Sequence, residues 1–126
     1  MIQEQTILKV ADNSGAKVVK CIRIPKGFKR KYATLGDTVT ISIKSLRNKS
    51  KKTSKVLKGE IYKAVILRIK KKYKTKTGIY SNFNGNYVCL LNKQNKPIAT
   101  RILGPISKIL KRKNFIKLIN ISGGFI

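Results

Sequence analysis

Thr38-Val39-Thr40-Ile41-Ser42-Ile43-Lys44 alternates polar and apolar residues without a break. A period of two sets Val39, Ile41 and Ile43 on one face of a strand and the polar residues on the other. Outward from this stretch, residues 16–24 and 61–70 read as longer strands, and 7–10 and 98–102 as shorter ones. Residues 87–91, Tyr-Val-Cys-Leu-Leu, are nearly all apolar, as expected of a strand covered on both faces. Asp12-Asn13-Ser14-Gly15 carries turn chemistry between the first two strands. Asn84-Gly85, between 80–83 and 86–91, is the strongest two-residue hairpin signal in the chain. Several short strands joined by such turns predict an all-β sandwich or small barrel. A barrel has the merit of leaving no free sheet edge.

The pattern changes after Gly104-Pro105. Ile106, Ile109 and Leu110 recur at helical spacing, Pro105 suits a first-turn position, and Phe115, Leu118 and Ile119 continue the rhythm. One or two short helices are expected, with 104–126 a mainly helical segment packed on the barrel of a single domain, 1–126. Gly123-Gly124 reads as a flexible tail. A chain of 126 residues can bury a core without staples. No apolar run approaches the roughly 20 residues that span a bilayer. Residues 1–6 lack the basic flank and apolar stretch of a secretory leader, so the chain is expected to work where it is made or to have lost a leader.

Thirty Lys and Arg face four acidic residues, with no His, for a formal net charge of +26. Such a field opposes compaction unless a polyanion neutralises it, and nucleic acid is the obvious partner. The cations are mostly Lys. Because Lys, Ile and Asn share A/T-rich codons, part of the Lys excess reads as mutational drift, whereas the near-absence of acid does not. Cys21 and Cys89 lie far apart in apolar runs and read as buried, inert thiols of a reducing compartment. With no CxxC pair and no His, neither a metal site nor a cofactor is expected.

Catalysis fares poorly on the same inventory. Proton transfer near neutral pH calls for His or a tuned carboxylate, and Glu4, Asp12, Asp37 and Glu60 are scattered singly. Asp12 precedes Asn-Ser-Gly, while Asp37 and Glu60 each follow a glycine at a strand entry, so turn and capping roles are expected of them. No phosphate-binding glycine loop of the GxxxxGK or GxGxxG type occurs. An enzyme is not expected.

Three connecting segments are strongly basic. Residues 25–32 place Lys26, Lys29, Arg30 and Lys31 beside Phe28 and Tyr32; residues 45–59 carry Arg47, Lys49, Lys51, Lys52, Lys55 and Lys58; and Lys70, Lys71, Lys72, Lys74 and Lys76 flank Tyr73. A run of lysines is by default a solvated face. Three on one small scaffold, nearly free of acid and interleaved with aromatics, favour a polyanion-binding face over that default. Lysine ammoniums neutralise phosphate without much sequence discrimination. The aromatics could stack on splayed bases or fold back over the barrel end. These cations, with Arg23 and Tyr32, form the candidate RNA-binding set.

The order and spacing of several motifs resemble a known family. Residues 1–6 (Met-Ile-Gln-Glu-Gln-Thr) and 10–16 (Val-Ala-Asp-Asn-Ser-Gly-Ala) look like the opening of bacterial-type ribosomal protein fourteen of the large subunit. The likeness runs on through Cys21-Ile22-Arg23, Gly36-Asp37, Lys63-Ala64-Val65, Phe83-Asn84-Gly85-Asn86, Pro97-Ile98, Thr100-Arg101-Ile102 and Gly104-Pro105, essentially end to end. The resemblance implies a closed five-stranded β-barrel with small C-terminal helices. It also implies a structural protein that binds large-subunit ribosomal RNA, helps to bridge to small-subunit RNA, and touches neighbouring large-subunit proteins. A ribosome-silencing factor docks on the family's C-terminal face, and the residues implicated there match Thr100, Arg101 and Lys117. Thr77 before Gly78, Cys89, the Lys-rich 45–59 and the end, 121–126, depart from the family pattern.

The reading is therefore a non-catalytic scaffold of the large ribosomal subunit. A free cold-shock or OB-like module gripping single-stranded RNA is the alternative. A secreted cationic protein would call for a signal peptide or disulfides, and no sign of either is seen. The Lys/Ile/Asn bias in a bacterial-type sequence favours an organellar ribosome, a mitochondrion before a plastid, with an A/T-rich bacterium as the other source.

Overall fold

The computed structural model describes residues 1–47, 53–112 and 115–126. In chain order its elements are β1 (Ile7–Val10), β2 (Ala16–Arg23), β3 (Thr38–Leu46), β4 (Ile61–Arg68), β5 (Tyr73–Lys74), β6 (Tyr80–Ser81), β7 (Tyr87–Leu91), α1 (Ile109–Arg112) and α2 (Ile116–Asn120). Strands β1-β2-β3-β4-β7 form a closed barrel. Four of its five pairings are antiparallel; β1 and β7 close it in parallel, with Lys9 opposite Tyr87 and Val10 opposite Val88.

Alternation along the strands sorts the core into two layers. Val39, Ile41 and Ile43 of β3, with Ala64 and Ile66 of β4 and Val88 and Leu90 of β7, fill the interior. The opposite faces of β4 and β7 present Val65, Leu67, Cys89 and Leu91 to Ile102, Ile106, Leu110 and Leu118. β7 is thus buried on both sides, which is why its sequence lacks polar alternation.

Four local expectations need correction. Asn84-Gly85 does not form a hairpin with β7: β6 pairs with β5, and neither Asn84 nor Gly85 takes the positive φ that a type I′ turn needs. The segment is drawn instead to the end of β4, where Phe83 donates to Ile69 O and the Asn86 side chain accepts from the Lys70 amide. Residues 98–102 form no strand; Ile102 makes only isolated bridges to Asp12 and Ser122. Pro105 precedes the helix rather than starting it, because Ile106 is bridged to Phe125 and Pro105 O accepts from Arg68. The stretch around Gly123-Gly124 is docked: Ile106 N donates to Gly124 O, and Ile126 O accepts from Lys108 N. Backbone pairing holds this strip where its composition offers nothing apolar before Phe125.

The strand directions give the barrel two distinct ends. Residues 11–15, 53–60 and 92–97 lie at one, which carries Asp12. Residues 1–6, 24–37 and 69–86 lie at the other, which carries Asp37. Ile2, Ala33, Leu35 and Ile69 plug the Asp37 end, where Ile2 and Ala33 exchange backbone hydrogen bonds. Val56, buried beside the exposed Leu57, reaches the interior cluster as well.

Candidate nucleic-acid interface

Two of the three basic segments share the Asp37 end. Residues 24–37 connect β2 to β3, and residues 69–86 connect β4 to β7, so the registers bring them to the same rim. Arg23, Lys26, Lys29, Arg30, Lys31 and Tyr32 are all exposed there, and so are Lys70, Lys71, Lys72, Lys74 and Lys76. Lys71 lies close enough to the N-terminal ammonium to help burial lower that group's pKa. Like charges are thus crowded at this rim, the arrangement that favours a polyanion.

The third segment serves the Asp12 end. Lys55 and Lys58 are exposed and Arg47 is half-buried, whereas Lys49, Lys51 and Lys52 lie outside the described residues. Its described part is laid against the barrel wall: the Lys55 amide donates to Ser14 O at 3.0 Å, and its Nζ reaches Ile98 O at 3.4 Å. Arg47 donates to Val10 O at 3.4 Å. Its guanidinium is therefore partly committed to the scaffold.

The scaffold uses three of the four carboxylates. Asp12 is fully buried; its Oδ1 accepts from the amide and hydroxyl of Ser14, and its Oδ2 from Leu90 N at 2.8 Å. Asp37, also buried, accepts from Thr34 N at 2.8 Å and Thr34 Oγ1 at 3.0 Å, and pairs with Arg30 Nη2 at 2.5 Å. Glu60 accepts from Leu57 N at 3.0 Å and the Tyr62 hydroxyl at 2.7 Å. The Tyr62 bond and the Leu57 amide lower the Glu60 pKa, and the same bond holds the Tyr62 phenol up to about 12. These turn and strand-entry roles leave the cationic rims facing outward.

The aromatics separate by role. Tyr73 is structural: its hydroxyl lies 3.0 Å from Ser107 Oγ and its ring stacks on Phe83 at 6.5 Å. Phe28 is the opposite, 91% exposed. Tyr80, which composition did not single out, stands exposed on the β5–β6 ribbon with Lys74 Nζ 5.9 Å from its ring centroid. Only the β5–β6 pairing, invisible in local pattern, brings those two side chains together.

Thr100, Arg101 and Lys117 belong to the outer layer. Asn13 fixes the first two: its Nδ2 donates to Thr100 Oγ1 at 2.9 Å, and its Oδ1 accepts from the amides of Thr100 and Arg101. Lys117 is exposed on α2, whose end is tied to the same segment through Ile102 N and Ile121 O. Arg68, a residue sequence reasoning passed over, staples this layer to β4. It donates to Leu103 O and to Pro105 O and lies over the Tyr87 ring at 4.9 Å, and burial lowers its pKa. Gly104 makes room for it: φ is +79°, and a Cβ there would stand 2.9 Å from Arg68 Nη2. Cys21 and Cys89 are buried free thiols whose pKa values burial pushes up.

Among the described residues, no three His, Cys, Asp or Glu side chains gather to hold a metal. What the geometry offers is a barrel with cationic rims and a braced outer layer. The family model described as ribosomal protein L14p/L23e matches residues 1–126, the full length given. The chain belongs to the ribosomal protein L14p/L23e family, whose members are structural constituents of the large ribosomal subunit.

Proposed function

We propose that the chain acts without catalysis, binding large-subunit ribosomal RNA by neutralising phosphates at both barrel ends. The observation that carries this reading is the division of charge: exposed cations line the rims while Asp12, Asp37 and Glu60 are held by scaffold donors. Lys26, Lys29, Lys31, Lys70, Lys71, Lys72, Lys74 and Lys76 grip one stretch of RNA backbone. Arg47, Lys55 and Lys58 grip another on the far side of the barrel, and Lys49, Lys51 and Lys52 are assigned to RNA from the sequence alone. Fixed separation between two such patches selects RNA shape rather than sequence. Arg23 adds to the first patch, and Arg30 contributes what its pairing with Asp37 leaves.

The outer face with Thr100, Arg101 and Lys117 is assigned to the subunit interface, where small-subunit RNA, a neighbouring protein or a silencing factor would be met. The host ribosome is assigned to an organelle, a mitochondrion first. Binding of the purified chain to a folded large-subunit RNA fragment should weaken linearly in log K against log salt, with a slope near −0.9 per phosphate neutralised, roughly. A flat salt response would reject the reading. A homopolymer single strand bound more tightly than the folded fragment would favour the OB-like alternative.

A further inference from the structure

We propose that Phe28 stacks on an unpaired base of the bound RNA, so that residues 25–32 read a looped-out or bulged nucleotide as well as gripping phosphates. This rests on the RNA-binding reading above and deepens it. Phe28 is the most exposed of the large apolar side chains, at 91%. Lys29 Nζ lies 5.4 Å from its ring centroid, which leaves the ring otherwise open. An aromatic held in water among cations gains nothing for the fold.

The loop around it is braced. Gly27 and Lys29, on either side of the ring, both take left-handed backbone conformations, φ +94° and +51°. Non-glycine residues adopt that region at a cost and persist in it where surroundings fix them. Arg30 supplies the fixation: it pairs with buried Asp37 and donates to Tyr32 O at 2.9 Å. Gly27 packs on it, since a Cβ there would lie 3.5 Å from the Arg30 side chain. The ring is therefore presented at low conformational cost on a loop closed from behind.

Lys29 lies beside the ring, and Lys26 and Lys31, exposed on the same loop, add ammoniums for the phosphates near a stacked base. Stacked bases in a duplex offer no face to such a ring, whereas an unpaired one does. Alternating cations around a π surface match a nucleotide better than an apolar protein patch, which three lysines would keep hydrated.

The chain contains no Trp, so Phe28→Trp introduces a single reporter at the site. Its emission is followed as an RNA hairpin with one bulged nucleotide, or the same hairpin fully paired, is added to the full chain. Base stacking on an aromatic is worth about 1–3 kcal/mol, so the bulged hairpin should bind on the order of tenfold tighter and quench the Trp. Phe28→Ala, which removes only an exposed ring, should abolish the preference. Equal binding of both hairpins by the wild-type chain, a preference that survives Phe28→Ala, or binding without quenching would overturn the proposal. The wild-type salt slope is measured alongside. A flat slope rejects RNA binding itself, whereas a steep slope without a Phe28-dependent preference rejects stacking alone.

Discussion

Each end of the barrel is held by a buried aspartate, but the two carboxylates take different partners. Asp12 takes neutral donors, the Ser14 amide and hydroxyl and the Leu90 amide, with the Cys89 thiol beside them, all deep in the structure. Asp37 shares its oxygen between Thr34 and Arg30, a cation that belongs to a basic loop. The first carboxylate is an internal fastener joining the β1–β2 turn to β7. The second is a brace between the scaffold and the basic loop 25–32. In a chain with so few acids, this difference shows where negative charge is tolerated: where it fixes backbone, or where it orients a cation without cancelling its neighbours.

Substitutions can break the comparison at its strongest point first. Asp12→Ala strands three donors, all of them on fully buried residues that water does not reach, and should cost about 3 kcal/mol in denaturant unfolding. Asp37→Ala should cost less, about 1–2 kcal/mol, because Thr34 and Arg30 are partly exposed and can turn to water. Its distinguishing mark is faster hydrogen exchange at the Thr34 amide, with the Leu90 amide unaffected. If the two variants lose equal stability, the fastener and the brace are not different things.

The smallest effect tests the third carboxylate. The Tyr62 phenol is raised above its ordinary value of 10.0 to about 12 by its bond to Glu60. A group whose folded pKa is raised contributes stability that is whole below its unfolded pKa and lost as pH climbs through the folded one. The wild-type chain should therefore exceed Tyr62→Phe slightly at neutral pH. That gap should close between about pH 10 and 12, as followed by thermal unfolding. A gap that widens over that interval would contradict the sign.

How much of this was legible in sequence depended on range. The interior of β3 was plain because alternation is local, and β7 announced burial on both faces by having no polar side. The barrel with C-terminal helices was legible as a class. Asn84-Gly85 misled because a turn dipeptide says nothing about its partners, and the end of β4 competed successfully for residues 83–86. Val56 was hidden because the Val56-Leu57 pair sits among lysines with no period to mark which of the two turns inward. That residues 25–32 and 70–76 share a rim while 45–59 does not follows from strand register, which no local pattern encodes. Whether Phe28 folded inward or outward was equally open, since nothing in the sequence marks the Arg30–Asp37 brace.

The parallel join of β1 to β7 also sets a timetable. Residues 9 and 87 lie 78 positions apart, and until they meet both β1 and β7 keep an unpaired edge. Bringing such distant segments together carries a loop-closure entropy that earlier hairpins do not face, and pairings of this range make folding slow. The first four strands can zip in sequence as hairpins while the ring stays open. The last seam is then the step at which a half-made sheet either closes or finds another chain's edge to pair with. A pulse-labelling experiment should see the Lys9 and Ala11 amides, which donate across the seam to Asn86 O and Val88 O, protected after the amides that join β2 to β3.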